Sequence, residues 1–237
     1  MRLHIPRLAI LLVCSMFLFI GCATQGVNTI KYSENEFVRV KNEKVVSRQQ
    51  SQVWDGLVKE LSKSFYVINN IDKASRIINI SFYTDSPQEY VDCGRTYRTY
   101  TQGNKVENYE YDSARSSIFK IATPNQPGPA FAGYVIVNRN TTLEGRSNIY
   151  IAPDESDFNK TIITSNTRYI LTIKVKGMVY SEHFSGAVHL FQNVPEESFP
   201  VTFNTAEVGK HSFNDGTVMK CFSKGTLENK ILEMIKD

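Results

Sequence analysis

Residues 47–82 read SRQQSQVWDGLVKELSKSFYVINNIDKASRIINISF. Ser47 and Gln50 have the spacing of a capping box, which predicts that a helix begins here. Apolar residues then recur at helical spacing and predict one buried stripe: Val53, Trp54, Leu57, Val58 and Leu61. We therefore predict a helix near residues 48–63 with Trp54, the only tryptophan, in the core.

Strand patterns surround this helix. Residues 36–46 alternate before it, and residues 65–68 and 76–82 are rich in β-branched and aromatic side chains after it. From residue 131 onward the chain is strand-rich, most clearly at RYILTIKV (168–175), and it ends in a short apolar-striped helix. These patterns predict an α+β fold: an N-terminal β-α-β-β module joined to a mostly antiparallel β-rich half with a short C-terminal helix.

The first module carries a family resemblance. SQVWDGLVKEL (51–61), FYVI (65–68), Asp72 and IINI (77–80) follow one another in a rhythm that resembles a unit found in envelope lipoproteins, the BamC-like helix-grip module. The resemblance covers a small part of the chain and is a packing pattern. It implies a helix gripped by a sheet and an envelope location, without a specific role.

The first 22 residues resemble the leader of a bacterial lipoprotein. Basic Arg2 and Arg7 precede an apolar run at residues 8–20, and Phe19-Ile20-Gly21-Cys22 resembles a lipobox. This predicts cleavage of the signal peptide before Cys22 and attachment of palmitate-type acyl chains there. An ordinary signal peptide with an incidental cysteine, or a buried core helix, is the alternative.

The residues after Cys22 bear on the location of the protein. Ala23 and Thr24 follow Cys22 where an aspartate would favour retention in the inner membrane. We therefore expect the outer membrane, with the protein facing the periplasm.

Proline and glycine positions, together with changes in composition, predict how the chain is organised. We expect a signal peptide (1–21), a lipidated tether (22–35), the helix-grip-like α+β module (36–100), an irregular loop region (101–130) and a β-rich region with a C-terminal helix (131–237). The strongest internal loop signal is NQPGP at residues 125–129, because proline and glycine together interrupt regular structure.

Four cysteines narrow the redox chemistry. Cys14 leaves with the leader and Cys22 carries lipid, so Cys93 and Cys221 remain for the oxidising periplasm. We expect them to form a disulfide bond. Two buried thiols that never meet are the alternative.

Charge and motifs exclude several function classes. The net charge of +3 includes Arg2 and Arg7 of the leader, whose loss reduces Lys+Arg from 27 to 25 against 24 Asp+Glu. A near-neutral body gives no electrostatic footprint for nucleic acid. The sequence shows no nucleophile elbow, phosphate loop or zinc motif, so we expect no enzyme activity, catalytic residue, metal or cofactor.

Two segments are weak candidates for a metal site or a catalytic site. The acidic turn at residues 154–157 could clasp Ca²⁺, although a solvated hairpin tip explains it more simply. Ser185 between His183 and His189 could act as a nucleophile, but no residue in the pattern would orient such a pair.

Aromatic and basic side chains cluster at residues 90–111. Arg95, Tyr97, Arg98 and Tyr100 form our candidate interaction surface, because Tyr and Arg suit interfaces. Exposed strand edges with satisfied hydroxyl groups are the alternative. We expect a lipid-anchored accessory or interaction subunit of an envelope assembly, secretion or transport complex, with the membrane and an envelope protein as partners. A glycan- or lipid-binding lipoprotein is the alternative, followed by a hydrolase.

Replacing Cys22 by serine tests the anchor. The Cys22→Ser protein should stay uncleaved or become soluble in the periplasm, since the thioether-linked lipid needs a thiol. Partitioning into a detergent phase after signal cleavage measures this. Cys14→Ser is the matched control and should partition like the parent. A cleaved Cys22→Ser protein that still enters the detergent phase contradicts the assignment.

Overall fold

The structure is a computed structural model that describes residues 26–123, 132–182, 187–214 and 216–236. Strands make up about 60% of it and helices about 12%. The signal peptide and Cys22 lie outside the described residues. None of the helices in the described ranges has the length and apolar character needed to cross a membrane.

The described chain contains two α-helices, one short 3-10 helix and thirteen strands. The helices are α1 (Gln50–Leu61) and α2 (Thr226–Glu233), and the 3-10 turn is Pro87–Glu89. The strands are β1 (Val27–Ser33), β2 (Glu43–Val46), β3 (Val67–Asp72), β4 (Ile77–Thr84), β5 (Val91–Asp92), β6 (Arg95–Gln102), β7 (Lys105–Asp112), β8 (Ser117–Ala122), β9 (Ala132–Pro153), β10 (Thr161–Glu182), β11 (Val188–Asn204), β12 (Gly209–Ser212) and β13 (Val218–Ser223).

Two strands of 22 residues, β9 and β10, form the frame. They pair antiparallel along their whole length, and strands of the seven-stranded sheet line up as β11-β10-β9-β4-β3. β2 pairs with the first residues of β10, and β8 pairs with the first part of β9. Alternate residues therefore face one core, since side chains in a strand point to opposite faces in turn.

Two smaller sheets pack against this frame. β1, β6 and β7 form one antiparallel sheet, with β6 in the centre. β12, β13 and β5 form the other. β6, which contains the candidate interaction residues, is not an edge strand, because β1 pairs with it on one side and β7 on the other.

Helix α1 supplies the apolar stripe that the sequence predicts. Val53, Trp54, Leu57 and Leu61 are buried, with Trp54 only 3% exposed. They join Ile78 and other residues of the sheet in one core, which confirms the assignment of Trp54 to the core. The capping box is wrong: the helix begins at Gln50 after Gln49, with no side-chain hydrogen bond to its first turn.

The predicted α+β fold class is wrong. A strand, a helix and two strands do follow one another between residues 43 and 84, but they are not a separate module. β2 pairs with β10 and β4 pairs with β9, so these strands extend the sheet that the long hairpin builds. The described chain is mostly antiparallel β, with thirteen strands against two α-helices.

Two predicted irregular segments also contain strands. Residues 27–33, predicted as part of the tether, form β1. The predicted loop region 101–130 contains β7 and β8. In β1 and β7, exposed side chains alternate with more buried ones, because one face of their small sheet meets solvent. The NQPGP boundary lies outside the described residues.

A disulfide bond joins Cys93 to Cys221, as predicted. The two Cα atoms are 4.1 Å apart, and 128 residues separate the cysteines in sequence. The bond ties the segment after β5 to β13. Closing a loop of this length stabilises the fold by about 4–5 kcal/mol in the chain-entropy description.

Truncation of Trp54 tests the core assignment. Trp54→Ala should lower the free energy of unfolding by roughly 3–5 kcal/mol, because it removes a buried aromatic side chain and leaves a cavity. Urea titration followed by circular dichroism measures the loss. Phe65→Ala, at a side chain that is 66% exposed, is the control and should change stability by about 0.5 kcal/mol or less. Equal losses in the two variants would contradict the core assignment.

Candidate functional site: a cleft with two arginines

A cleft of about 220 Å³ lies between the small sheet β1-β6-β7 and the inner face of the long strands. β6 contributes Thr96 and Arg98, and β9 contributes Arg139. Apolar and aromatic side chains form much of the wall, among them Phe119 and Phe199. Such a cavity is smaller than the pockets that enclose a whole drug-sized ligand, so it can hold one end of a larger one.

The candidate interaction surface divides between two faces of β6. Arg95 and Tyr97 point outward, whereas Thr96, Arg98 and Tyr100 point inward, because successive residues of a strand alternate. Arg95 forms an exposed ion pair with Glu110, with 3.1 Å between nitrogen and oxygen.

Only part of the predicted set therefore shares one location. Tyr100 is 2% exposed and its hydroxyl hydrogen-bonds the Gln102 side chain, so it is a core residue. Tyr97 is partly exposed on the outer face, and Arg98 faces the cleft. The four residues cannot act as one surface.

Arg98 is held by two aromatic side chains. Its Nε donates to the Tyr111 hydroxyl over 2.9 Å, and its guanidinium carbon lies 4.4 Å from the centre of the Phe119 ring. Tyr111 stacks on Phe119 with the ring centres 5.7 Å apart. Within the described part of the chain, the terminal nitrogens of Arg98 have no hydrogen-bond partner, so they are available to a ligand.

Arg139 lies deeper and is only 6% exposed. Its guanidinium donates to the backbone carbonyls of Arg115, over 2.7 Å, and of Ser113. These bonds brace the turn between β7 and β8. Burial lowers the pKa of Arg139 to about 10, and the nearby Arg98 charge acts in the same direction, while Tyr111 opposes it. The group still carries its proton at neutral pH.

The two guanidinium groups make the cleft cationic, and the charge of Asp112 is near enough to raise the pKa of Arg139. Across residues 26–123, 132–182, 187–214 and 216–236, no carboxylate oxygen comes within 4.0 Å of either group. Glu197 lines the cleft from an exposed position without pairing to them. Buried charges in proteins are normally paired, so this cleft is suited to an anionic group from outside the chain.

The sequence missed Arg139. It follows Val135 and Val137 at intervals of two, so all three side chains point inward from β9. The sequence does contain one indication of this: a charged residue at a position where the alternation predicts an inward-facing apolar one. Its carbonyl partners are more than 20 residues away in sequence, and no local pattern connects them.

The other chemical candidates do not form a site. Asp154 accepts hydrogen bonds from Ser156, and Asp157 pairs with Lys160 at 3.2 Å, so both organise the turn between β9 and β10. Among the described residues, no group of three or more His, Cys, Asp or Glu side chains could hold a metal ion. His183 and Ser185 lie outside the described residues.

A second buried charge has a structural explanation. Glu228, in the first turn of α2, is fully buried. Its carboxylate accepts hydrogen bonds from the Tyr169 hydroxyl at 3.0 Å and from the Thr205 hydroxyl at 2.8 Å. The Ser223 hydroxyl lies 3.3 Å from it. This satisfied network fixes α2 to β10, and burial together with the Glu228 charge raises the pKa of Tyr169.

Replacement of Arg139 by lysine tests whether the buried guanidinium braces the β7–β8 turn. Arg139→Lys should destabilise the protein by about 1–3 kcal/mol, because one ammonium cannot replace a planar group that reaches two carbonyls. Urea unfolding measures the change. Arg95→Lys, on the exposed face of β6, should stay within about 0.5 kcal/mol of the parent. An unchanged Arg139→Lys stability would show that the bracing is unimportant.

The chain matches no protein-family model, no curated protein and no solved structure. The resemblance of residues 51–80 to BamC-like modules therefore stays a prediction from the sequence.

Proposed function

We propose that this protein is a lipid-anchored outer-membrane lipoprotein that faces the periplasm and serves as an accessory or interaction subunit of an envelope assembly, secretion or transport complex. The lipobox-like residues ending in Cys22 support the anchor. The Cys93–Cys221 disulfide agrees with an oxidising compartment, where such bonds persist. The protein acts by contact and carries out no turnover of its own.

The observation that carries this proposal is the pair of cationic side chains in the cleft. Arg98 presents terminal nitrogens that have no hydrogen-bond partner among the residues the structure describes, and Arg139 adds a second positive charge behind it. Aromatic rings hold the Arg98 plane in position, so little freedom is lost when an anion binds. Rigid arginine and aromatic groups in a concave site are typical of recognition.

A second candidate function is the binding of a glycan or lipid. The cavity of about 220 Å³ combines a cationic end with apolar walls that include Val175 and Phe199. This combination fits an acidic head group attached to an apolar portion. A free ligand of that kind and an acidic segment of a partner protein would use the same guanidinium groups.

Neutralisation of Arg98 tests the cleft as the recognition site. Arg98→Gln should weaken capture of the partner or ligand by about tenfold to a hundredfold, since a charge-assisted hydrogen bond contributes roughly 1.5–3 kcal/mol. Affinity capture of the lipidated protein from detergent-solubilised envelopes, with quantitative mass spectrometry of bound proteins and lipids, measures both candidates. Enrichment of a protein supports the subunit, and enrichment of an acidic lipid or glycan supports the binding module.

Arg95→Gln is the matched control, because Arg95 is on the outer face of the same strand. It should retain capture. Thermal melts of both variants show whether they stay folded. Equal loss of capture in two folded variants would contradict the cleft as the specific recognition site, and unchanged capture in both would contradict a role for β6.

A further inference from the structure

The chain enters the fold at one end of the long sheet. Strand β1 begins at Val27, so only residues 23–25 lie between Cys22 and the first described residue, Gly26. A span of four residues reaches at most about 14 Å. An anchor at Cys22 therefore holds this end of the protein close to the bilayer. An extended tether through residue 35 would have allowed a larger distance between the fold and the bilayer.

Gly26 is the described residue nearest in sequence to the proposed anchor, and its contacts show where the chain enters the fold. It packs so closely against Ala122 that a Cβ atom on Gly26 would lie 2.6 Å from the Cβ of Ala122. The Asn28 side chain also donates to the Ala122 carbonyl at 3.1 Å and accepts from the Ala122 amide at 2.7 Å. The start of β1 is thus fixed to the end of β8.

One row of paired residues crosses the sheet from this point. Ala122 pairs with Tyr134, Tyr134 with Tyr180, and Tyr180 with Leu190. Neighbouring strands are about 4.8 Å apart, so Leu190 lies roughly 15 Å from Ala122 along the row. The beginning of β11 and the anchored end of β1 therefore share one end of the molecule.

We call the first part of β11, residues 188–194, the terminal arm. Its side chains are exposed on both faces, whereas Val201 and Phe203 later in the strand are buried. Phe191 is 70% exposed and Leu190 is 53% exposed, and Val188 and Val194 are exposed beside them. In the described chain the outer edge of β11 has no paired strand. Exposed apolar groups gathered at one place indicate a binding surface.

We propose that the terminal arm lies in the interfacial layer of the bilayer that holds the anchor. The inference rests on the proposed lipid anchor at Cys22. The short connection to Gly26 brings the head groups within reach of the arm, and apolar side chains gain by leaving water there. Tyr134 and Tyr180 stack beside the arm with their ring centres 5.5 Å apart, and tyrosine suits the boundary between head groups and acyl chains.

The occupant of this surface is the lipid itself. The arm is at the same sheet end as Gly26, roughly 15 Å from Ala122 along the row of paired residues, so the lipids around an anchor at Cys22 are the surface nearest to it. A protein partner would have to enter between the arm and the membrane to cover the same side chains. The arginine cleft is lined by other residues and remains open to its own ligand.

Fluorescence quenching tests the proposal with the full lipidated protein in vesicles of brominated phosphatidylcholine. Phe191→Trp places a reporter in the arm. Phe158→Trp is the matched control, because Phe158 is 76% exposed in the turn between β9 and β10, at the opposite end of those strands. Trp54 is retained, and the signal of the parent protein is subtracted.

We expect quenching roughly threefold stronger for Phe191→Trp than for Phe158→Trp, since interfacial residues penetrate about 5–10 Å toward the brominated carbons. Equal quenching in the two variants overturns the proposal. Flotation of the protein with the vesicles is measured in the same samples. Loss of flotation in the parent contradicts the anchor, whereas flotation with no selective quenching contradicts the arm alone.

Discussion

The antiparallel ladder between β9 and β10 is the interaction on which the rest of the structure depends. Residues 132–153 pair with residues 161–182 without a shift in register. Four further strands of the large sheet, β2, β4, β8 and β11, hydrogen-bond to one of these two. A slip of one residue would turn every inward side chain outward, so the register of this hairpin determines both the core and the cleft.

The sequence was informative where the signal is local. The spacing of Trp54 and its neighbours predicted a buried helical stripe, and the count of cysteines predicted the disulfide. The lengths of the strands were not predictable in this way. Gly145, for example, lies inside β9, where the Phe82 ring covers it: a Cβ atom there would be 2.1 Å from that ring. The requirement for glycine at this position thus comes from a side chain on another strand, which no local pattern reveals.

The same limit explains the error in fold class. A β-α-β-β order is readable from residues 36–83, but β2 pairs with β10 and β4 pairs with β9, which are 59 or more residues away in sequence. Local patterns indicate that a segment is a strand and do not indicate with which strand it pairs. The cleft has the same limit. Arg98 was a candidate because aromatic and basic residues cluster around it in the sequence. Arg139 becomes a candidate only when the fold places it in the same cleft as residues of β6, β7 and β8.

Strand β1 connects the predicted anchor to the cleft. Ile30 and Tyr32 form part of the cleft wall only a few residues after Gly26. The Tyr32 hydroxyl donates to the Lys220 carbonyl at 3.2 Å and accepts from the Lys220 amide at 3.1 Å. Lys220 precedes Cys221, whose disulfide fixes β13 to the segment after β5.

The first strand after the anchor is therefore tied on several sides. Its backbone pairs with β6 along its full length, Asn28 holds β8, and Tyr32 holds β13. At about 3.4 Å per residue, Ile30 lies some 14 Å along the strand from Gly26. A lipid on Cys22 would thus limit the distance between the cleft wall and the bilayer, because at most about 14 Å of chain joins Cys22 to Gly26 and Ile30 follows about 14 Å farther along β1.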